Sequence, residues 1–224
     1  MNVEVIIGHH AGDDEHRAAA RNWVVGWYRA RGYTVTIGLA AGEYWCKADA
    51  YNPAVAASSA DVVVLADADS WPTRQSLADA IDRADVTGWA APFHRVRRLT
   101  REASTAVLGA DPAVTETPPD RRLEADVHDA LPGGGVVVMA RALALECGPY
   151  DPRFVGYGGE DFALGNAART LSGGYAAVCN GPLWHLWHPR AGVMSDDTKR
   201  LVNRYRLAKF DRSKTSALID EWRP

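Results

Sequence analysis

An α/β fold, built on a mostly parallel central sheet with helices on both faces, is predicted by three features of the chain. Two short runs rich in β-branched residues, Val3 to Ile7 and DVVVLA from Asp61 to Ala66, have the length and apolarity of buried strands. Helical patterns alternate with them. That alternation, with strands apolar along their whole length, belongs to a sheet covered on both sides. At 224 residues the chain has room for one domain with a sizeable core.

The elements follow in order. The first run ends at Gly8 as a strand, and Asp13, Asp14 and Glu15 then place acids at a helix N-terminus, where they complement its dipole. This helix runs to about Arg31 and stops at Gly32; Ala19, Trp23 and Trp27, four residues apart, mark its core face. Tyr33 to Ile37 alternates as a second strand and closes a β-α-β unit. Ala-rich sequence after Pro53 predicts a further helix. DVVVLA is the clearest buried strand, and it leads straight into Asp67, Ala68 and Asp69. Thr73 to Arg83 reads as a helix and Gly88 to Pro92 as a short strand.

From about Arg95 to Pro132 no apolar period holds, and a stretch this long reads as a functional or a disordered loop. GGGVVVMAR, Gly133 to Arg141, restores a strand, with a short helix after it. Glu160 to Leu171 reads as a helix, Tyr175 to Val178 as a strand, WHLWHPR as a strand edge or loop, and the part from Ser195 as a basic helical tail.

Composition removes several function classes. The net charge of −3 does not suit a protein built to grip nucleic acid. The N-terminus lacks a basic segment leading into a long apolar one, and no apolar run reaches the ~18 residues of a membrane span. A cytoplasmic protein without a membrane span is therefore expected. Cys46, Cys147 and Cys179 are far apart and form no CxxC pair, so neither a disulfide framework nor a cysteine zinc site is expected.

Three motifs carry chemistry. Asp67-Ala68-Asp69 follows a buried strand directly, and open α/β sheets bind ligands at the carboxyl ends of their strands. Two carboxylates at such an edge can bring oxygen ligands to Mn²⁺ or Mg²⁺, which neutralises a departing diphosphate. In FVGYGGED, the glycines deliver Glu160 and Asp161 to a helix start, where backbone N–H groups favour the ionised carboxylate. Such a carboxylate can take a proton from an acceptor hydroxyl. In WHLWHP, His185 and His188 are three apart and can converge on one metal if the chain turns there.

These motifs, in this order, resemble the GT-A glycosyltransferases, and within them the group of β-1,4-galactosyltransferases, polypeptide N-acetylgalactosaminyltransferases and chondroitin-polymerase-type enzymes. The likeness rests on DVVVLADAD, GGGVVVMAR, YDPRFVGYGGEDFALGNAART and WHLWH, about residues 60 to 190. It implies a GT-A (nucleotide-diphospho-sugar transferase) fold over a single domain, 1–224. Residues 1–92 would form a nucleotide-binding half, 93–132 a flexible loop acting as a lid, and 133–224 an acceptor or catalytic half.

The resemblance also implies roles. Asp69 would ligate the metal and Asp67 would contact the ribose or the metal. His188 matches the late metal histidine and His185 the place of a second late ligand, with no choice between them from sequence. Asp161 matches the general base of inverting members, and Glu160 the neighbour that binds acceptor or donor sugar. Lys47 and Asn52 resemble a stretch lying near the donor; Ala68, Gly134 and Gly135 approach it through their backbone, and His9 stands where the first strand meets it. Tyr157, Gly158, Gly159 and Trp184 would face the acceptor or transferred sugar. Two departures stand out: Tyr157 occupies a position that is often Trp, and Phe162 one where galactosyltransferases carry another acid.

The expected activity is transfer of a sugar from a nucleotide-sugar, a UDP-sugar foremost, to an acceptor hydroxyl, with inversion. The acceptor is left open among glycan, protein, small molecule and modified nucleic acid, and so is the oligomeric state. The alternatives are a nucleotide-sugar binder without turnover and a nucleotidyltransferase. GHHAGDDEH has none of the glycine- and lysine-rich character of a nucleotidyltransferase phosphate loop, and a zinc hydrolase would need an HExxH pattern the chain lacks.

Overall fold

The computed structural model describes residues 1–12, 14–124, 128–129, 132–189 and 192–223. The first half runs β1 (Val3–His10), α1 (Glu15–Arg29), β2 (Thr34–Ala40), α2 (Lys47–Ala57), β3 (Val62–Ala66), β4 (Ser70–Trp71), α3 (Arg74–Thr87) and β5 (Trp89–Ala91). It continues with β6 (Arg95–Arg98), α4 (Arg101–Leu108), β7 (His128–Asp129), β8 (Val136–Ala140) and α5 (Arg141–Cys147). The chain closes with α6 (Glu160–Ser172), β9 (Ala177–Val178), β10 (Pro182–His185), α7 (Asp196–Ala208) and α8 (Arg212–Asp220).

The central sheet has the order β2-β1-β3-β8-β5-β9. Only β8 runs against its neighbours; the β1–β2, β1–β3 and β5–β9 pairs are parallel, as predicted. A second sheet, β4-β10-β6-β7, was not predicted, and it lies across the carboxyl end of β3. β10 is its hub, pairing antiparallel with β4 and parallel with β6.

One face of the central sheet is covered by α1, α3 and the small sheet, the other by α2 and α5 to α8. Asp14 caps α1 by accepting from the Arg17 amide at 2.8 Å; its predicted companion Asp13 lies outside the described residues. The buried face of α1 is Ala20, Trp23, Val24, Trp27 and Tyr28, while Ala19 points to solvent. The helix places its inward stripe one residue later than Ala19, because Ala20, Val24 and Tyr28 join the two tryptophans to make it wide enough to bury.

Trp27 is fully buried; its indole donates to the Thr115 carbonyl at 2.9 Å and the Arg31 guanidinium lies 3.8 Å over its ring. Trp27→Ala is expected to cost about 3–5 kcal/mol, from lost burial and the cavity left behind. Chemical denaturation measures it, and a loss under about 1 kcal/mol would mean that the segment around Thr115 does not depend on this contact.

Two elements differ from expectation. α2 starts at Lys47, before Pro53, and carries that proline inside it. The buried residues Lys47, Ala48, Tyr51 and Val55 hold the helix against the sheet, so packing outweighs the hydrogen bond that proline removes. The segment expected as a loop over 93–132 contains β6 and α4. β6 gains its partners from β10 and β7, and α4 is capped by Thr100, whose side chain accepts from the Ala103 amide. Residues 125–127 and 130–131 of that segment lie outside the described residues, so its role as a lid stays an expectation.

Candidate active site

Five chain ends meet in one cleft of about 750 Å³. The end of β3 supplies Asp67, Ala68 and Asp69; β10 and the turn after it supply His185 and His188; α6 opens with Glu160 and Asp161; α2 opens with Lys47; and Gly134 and Gly135 lead into β8.

The short β4–β10 pairing explains how residues more than a hundred apart come together. Ser70 is in register with His185, and the Leu186 amide donates to the Asp69 carbonyl at 2.8 Å. His185 Nε2 lies 3.6 Å from Asp69 Oδ1, and His188 Nε2 lies 3.5 Å from Asp69 Oδ2. One ligand atom from each of the three residues lies within 4.8 Å of the others.

The hydrogen bonds around the imidazoles set their protons. His185 Nδ1 is 2.6 Å from the Leu186 carbonyl and donates to it, which leaves its Nε2 lone pair bare, while His188 Nδ1 is 2.8 Å from the Pro189 carbonyl. Arg17 Nη2 sits 3.3 Å from His188 Nδ1 and adds positive charge beside the cluster.

Burial acts to raise the Asp69 carboxyl, but His185, His188 and the nearby Arg17 and Arg98 outweigh it and hold it below the ordinary carboxylate range. Burial drives the His185 imidazole below its usual value, with Asp69 opposing. At neutral pH an ionised Asp69 therefore faces an uncharged His185. Asp69 Oδ1 is buried with no hydrogen-bond partner. A buried carboxylate oxygen without a partner is costly, and a divalent cation would satisfy it. One oxygen and two imidazole nitrogens form a donor set that suits Mn²⁺. Asp67, which the sequence offered as a second metal or ribose contact, is not in this cluster; its carboxylate is 2.9 Å from Lys47 Nζ.

Lys47 organises the opposite wall. Its ammonium is 2.7 Å from Asp161 Oδ1, 2.9 Å from Asp67 and 4.0 Å from Glu160, and only 6% of its side chain is exposed. Burial acts to lower this amine, yet Asp161, Asp67, Tyr150 and Glu160 push it well above its usual value. One cation serves three carboxylates. Asp161 is accordingly pushed up to about 7, by burial first and by Glu160 and Asp67 after it, with Lys47 opposing. The helix N-terminus was expected to favour the ionised acid; burial, with like charge behind it, wins instead.

Asp161 also explains the glycines before β8. A side chain on Gly134 would lie 2.6 Å from Asp161 Oδ2, and one on Gly133, whose φ is +124°, would lie 2.2 Å from the Asp161 carbonyl. With Oδ1 held by Lys47, the other oxygen faces a wall that must stay bare.

Lys47→Met is expected to cost about 1–3 kcal/mol, since it leaves part-buried carboxylates without their counter-ion. The loss should shrink as pH falls and Asp161 takes up a proton. Urea unfolding at two pH values measures both, and a pH-independent loss would contradict the charge assignment.

Several residues expected at the donor or sugar lie elsewhere. His10, not His9, lines the cleft, because β1 extends to residue 10 and alternation sends Gly8 and His10 to the same side. Asn52 spends both ends of its amide on Tyr150, donating to its carbonyl at 2.7 Å and accepting from its amide at 3.0 Å; it ties α2 to the chain before α6. Trp184 faces away from the cleft, since Leu183 and His185 on either side face in. Gly159 caps α6 with φ of 96° and packs beside Phe154 and Val202, off the cleft wall. Tyr157 and Gly158 line it, and Tyr157 is about half exposed.

The cleft also holds residues that sequence reasoning missed: Trp45, His16, Arg17, Arg98 and Trp187. His16 Nε2 lies 2.7 Å from the Trp187 carbonyl, and Arg101 sits 5.0 Å over the Trp187 ring, so the turn carrying His188 is braced from α1 and α4. His16 and Arg17 were legible as the first turn of a helix that leaves the carboxyl end of β1; nothing in sequence marked Arg98.

No family model and no curated protein matches the sequence. Solved structures do. The chain is similar to the catalytic domain of Drosophila β1,4-galactosyltransferase 7 in complex with xylobiose, at 11% identity and a TM-score of 0.53, covering 92% of this chain and 81% of that one. A mutant of the same Drosophila enzyme, in complex with manganese, UDP-Gal and xylobiose, gives 11% identity and a TM-score of 0.51, over 90% of this chain and 79% of that one. GalNAc-T7 with UDP, GalNAc and Mn²⁺ gives 14% and 0.51 over 96% of this chain, which spans 49% of that longer one. The chain has the GT-A fold of these glycosyltransferases.

Proposed function

We propose that the protein is a metal-dependent glycosyltransferase that moves a sugar from a UDP-sugar to an acceptor hydroxyl with inversion. The observation that carries this reading is the cluster of Asp69, His185 and His188 at the carboxyl end of β3, sharing one cleft with Asp161. The fold supports it, since structures of the same fold hold UDP or UDP-Gal with manganese, and one of them a disaccharide as well.

Asp69, His185 and His188 would hold Mn²⁺ or Mg²⁺, which when bound neutralises the diphosphate and stabilises it as a leaving group. Asp161 is the general base. Its Oδ1 is fixed by Lys47, and Oδ2, beside Gly134, takes the proton of the acceptor hydroxyl. The acceptor oxygen bonds to the anomeric carbon as the bond from that carbon to the diphosphate breaks. Lys47 keeps Asp161 in place while Asp67 and Glu160 share its charge. Arg17 and Arg98, both cleft residues, add positive charge on the side of Asp69, where the diphosphate would lie. Trp45, Tyr157 and Trp187 give the cleft flat apolar surfaces for sugar rings and base.

A thermal-shift screen of nucleotide-sugars, with and without Mn²⁺ and paired with an assay of released nucleoside diphosphate, tests the reading. A UDP-sugar is expected to raise Tm only with the cation present, and UDP is expected to be released. Stabilisation by UDP-sugars without any release, across acceptors and water, would make the protein a binder on this scaffold.

A further inference from the structure

The small sheet has two faces, and only one looks into the cleft. β10 and β6 are parallel in the register Pro182 with Arg95, Leu183 with Val96, Trp184 with Arg97 and His185 with Arg98. Leu183, Val96, His185 and Arg98 line the catalytic cleft. Alternation sends Pro182, Trp184, Arg95 and Arg97 to the opposite face. There, together with His94, Arg121 and Leu123, they enclose a second cavity of about 300 Å³.

The chemistry of this cavity is uneven. Three arginines converge on it, and the acids closest in sequence are engaged elsewhere: Asp120 is 2.6 Å from Arg122, and Glu124 is 3.9 Å from Arg98. Arg97 and Arg121 supply positive charge to the cavity. The apolar wall is Trp184 with Pro182 and Leu123. Trp184 is 7% exposed, and its indole N–H has no hydrogen-bond partner. Cations at the rim and a flat aromatic wall within suit a ligand that is anionic at one end and a ring at the other.

We propose that this cavity is a second ligand site, separate from the catalytic cleft, which binds a phosphate ester carried on a sugar-sized body. Arg97 and Arg121 hold the phosphate by charge-assisted hydrogen bonds, and the ring lies against Trp184. A neutral sugar lacks the first interaction and inorganic phosphate the second, so the ester binds more tightly than either. The site stands whether or not the protein transfers sugar.

The test follows the tryptophan indole N–H resonances by NMR in the full chain, sequence-specifically assigned, with UDP and Mg²⁺ present to occupy the cleft. Glucose 6-phosphate is expected to shift the Trp184 resonance saturably while that of Trp187, in the cleft, stays put. Inorganic phosphate should bind more weakly, and glucose should not bind. In Arg97→Gln and in Arg121→Gln, both changes outside the core, affinity for glucose 6-phosphate should fall ~10-fold to ~100-fold. Absence of a saturable Trp184 shift, an equal response to glucose, or unchanged affinity in both variants would overturn the proposal. Movement of Trp187 on addition of UDP and Mg²⁺ reads the catalytic assignment separately, so either idea can fail alone.

Discussion

Asp161→Asn is expected to lower turnover by ~10²–10⁴-fold, the usual contribution of a positioned general base, while UDP still binds. The amide keeps the shape of the carboxyl and can still accept from Lys47 with its oxygen, so the wall of the cleft is preserved. What it loses is the ability to take a proton. The same residue sets the pH profile. With its carboxyl pushed up to about 7, wild-type kcat/KM should climb roughly tenfold per unit below that pH and level off above it.

Stability has the opposite sign. A carboxyl raised in the folded state from its ordinary 3.8 stabilises the fold while protonated, and that contribution is lost as pH rises through about 7. Asp161→Asn should therefore gain stability relative to wild type from pH 4 to pH 8. A variant that kept wild-type turnover would remove Asp161 as the base.

Asp69→Asn is expected to reduce turnover by ~10³-fold or more, since several kcal/mol of charge stabilisation depend on the cation and each 1.36 kcal/mol is about tenfold in rate. Asp69 is the single anionic member of its cluster, and its Oδ1 is buried without a partner. Without metal, the asparagine variant should melt at a lower temperature than wild type at neutral pH, because a carboxyl held below its ordinary range stabilises the fold while ionised. With Mn²⁺, wild type should gain stability and the variant should not. If instead the variant gained as much stability from Mn²⁺ as wild type does, Asp69 would not be a ligand of the metal.

Much of this arrangement was legible in sequence, and what was not legible was hidden for physical reasons that differ from residue to residue. DVVVLA announces a buried strand, and a strand that ends in Asp-x-Asp puts those acids at a ligand-binding edge. Glycines before Glu160 and Asp161 announce a helix start with little in front of it. Which of two adjacent residues turns inward is not legible in this way, because a shift of one residue along a strand exchanges its faces. His9 and His10 were exchanged on that account, and so were Trp184 and its cleft-facing neighbours. β6 escaped notice because Val96 is the single apolar residue in RVRR; its outward arginines border one cavity and its inward Arg98 another. Asn52 looked like a donor contact, but only the folded chain brings the Tyr150 backbone to both ends of its amide.

Crystals soaked in Mn²⁺ with UDP, measured by anomalous scattering at the manganese edge, test the central claim most directly. A single strong peak is expected in contact with Asp69, His185 and His188, with the diphosphate oxygens beside it. A peak between Asp67 and Asp161, or bound UDP with no manganese, would contradict it.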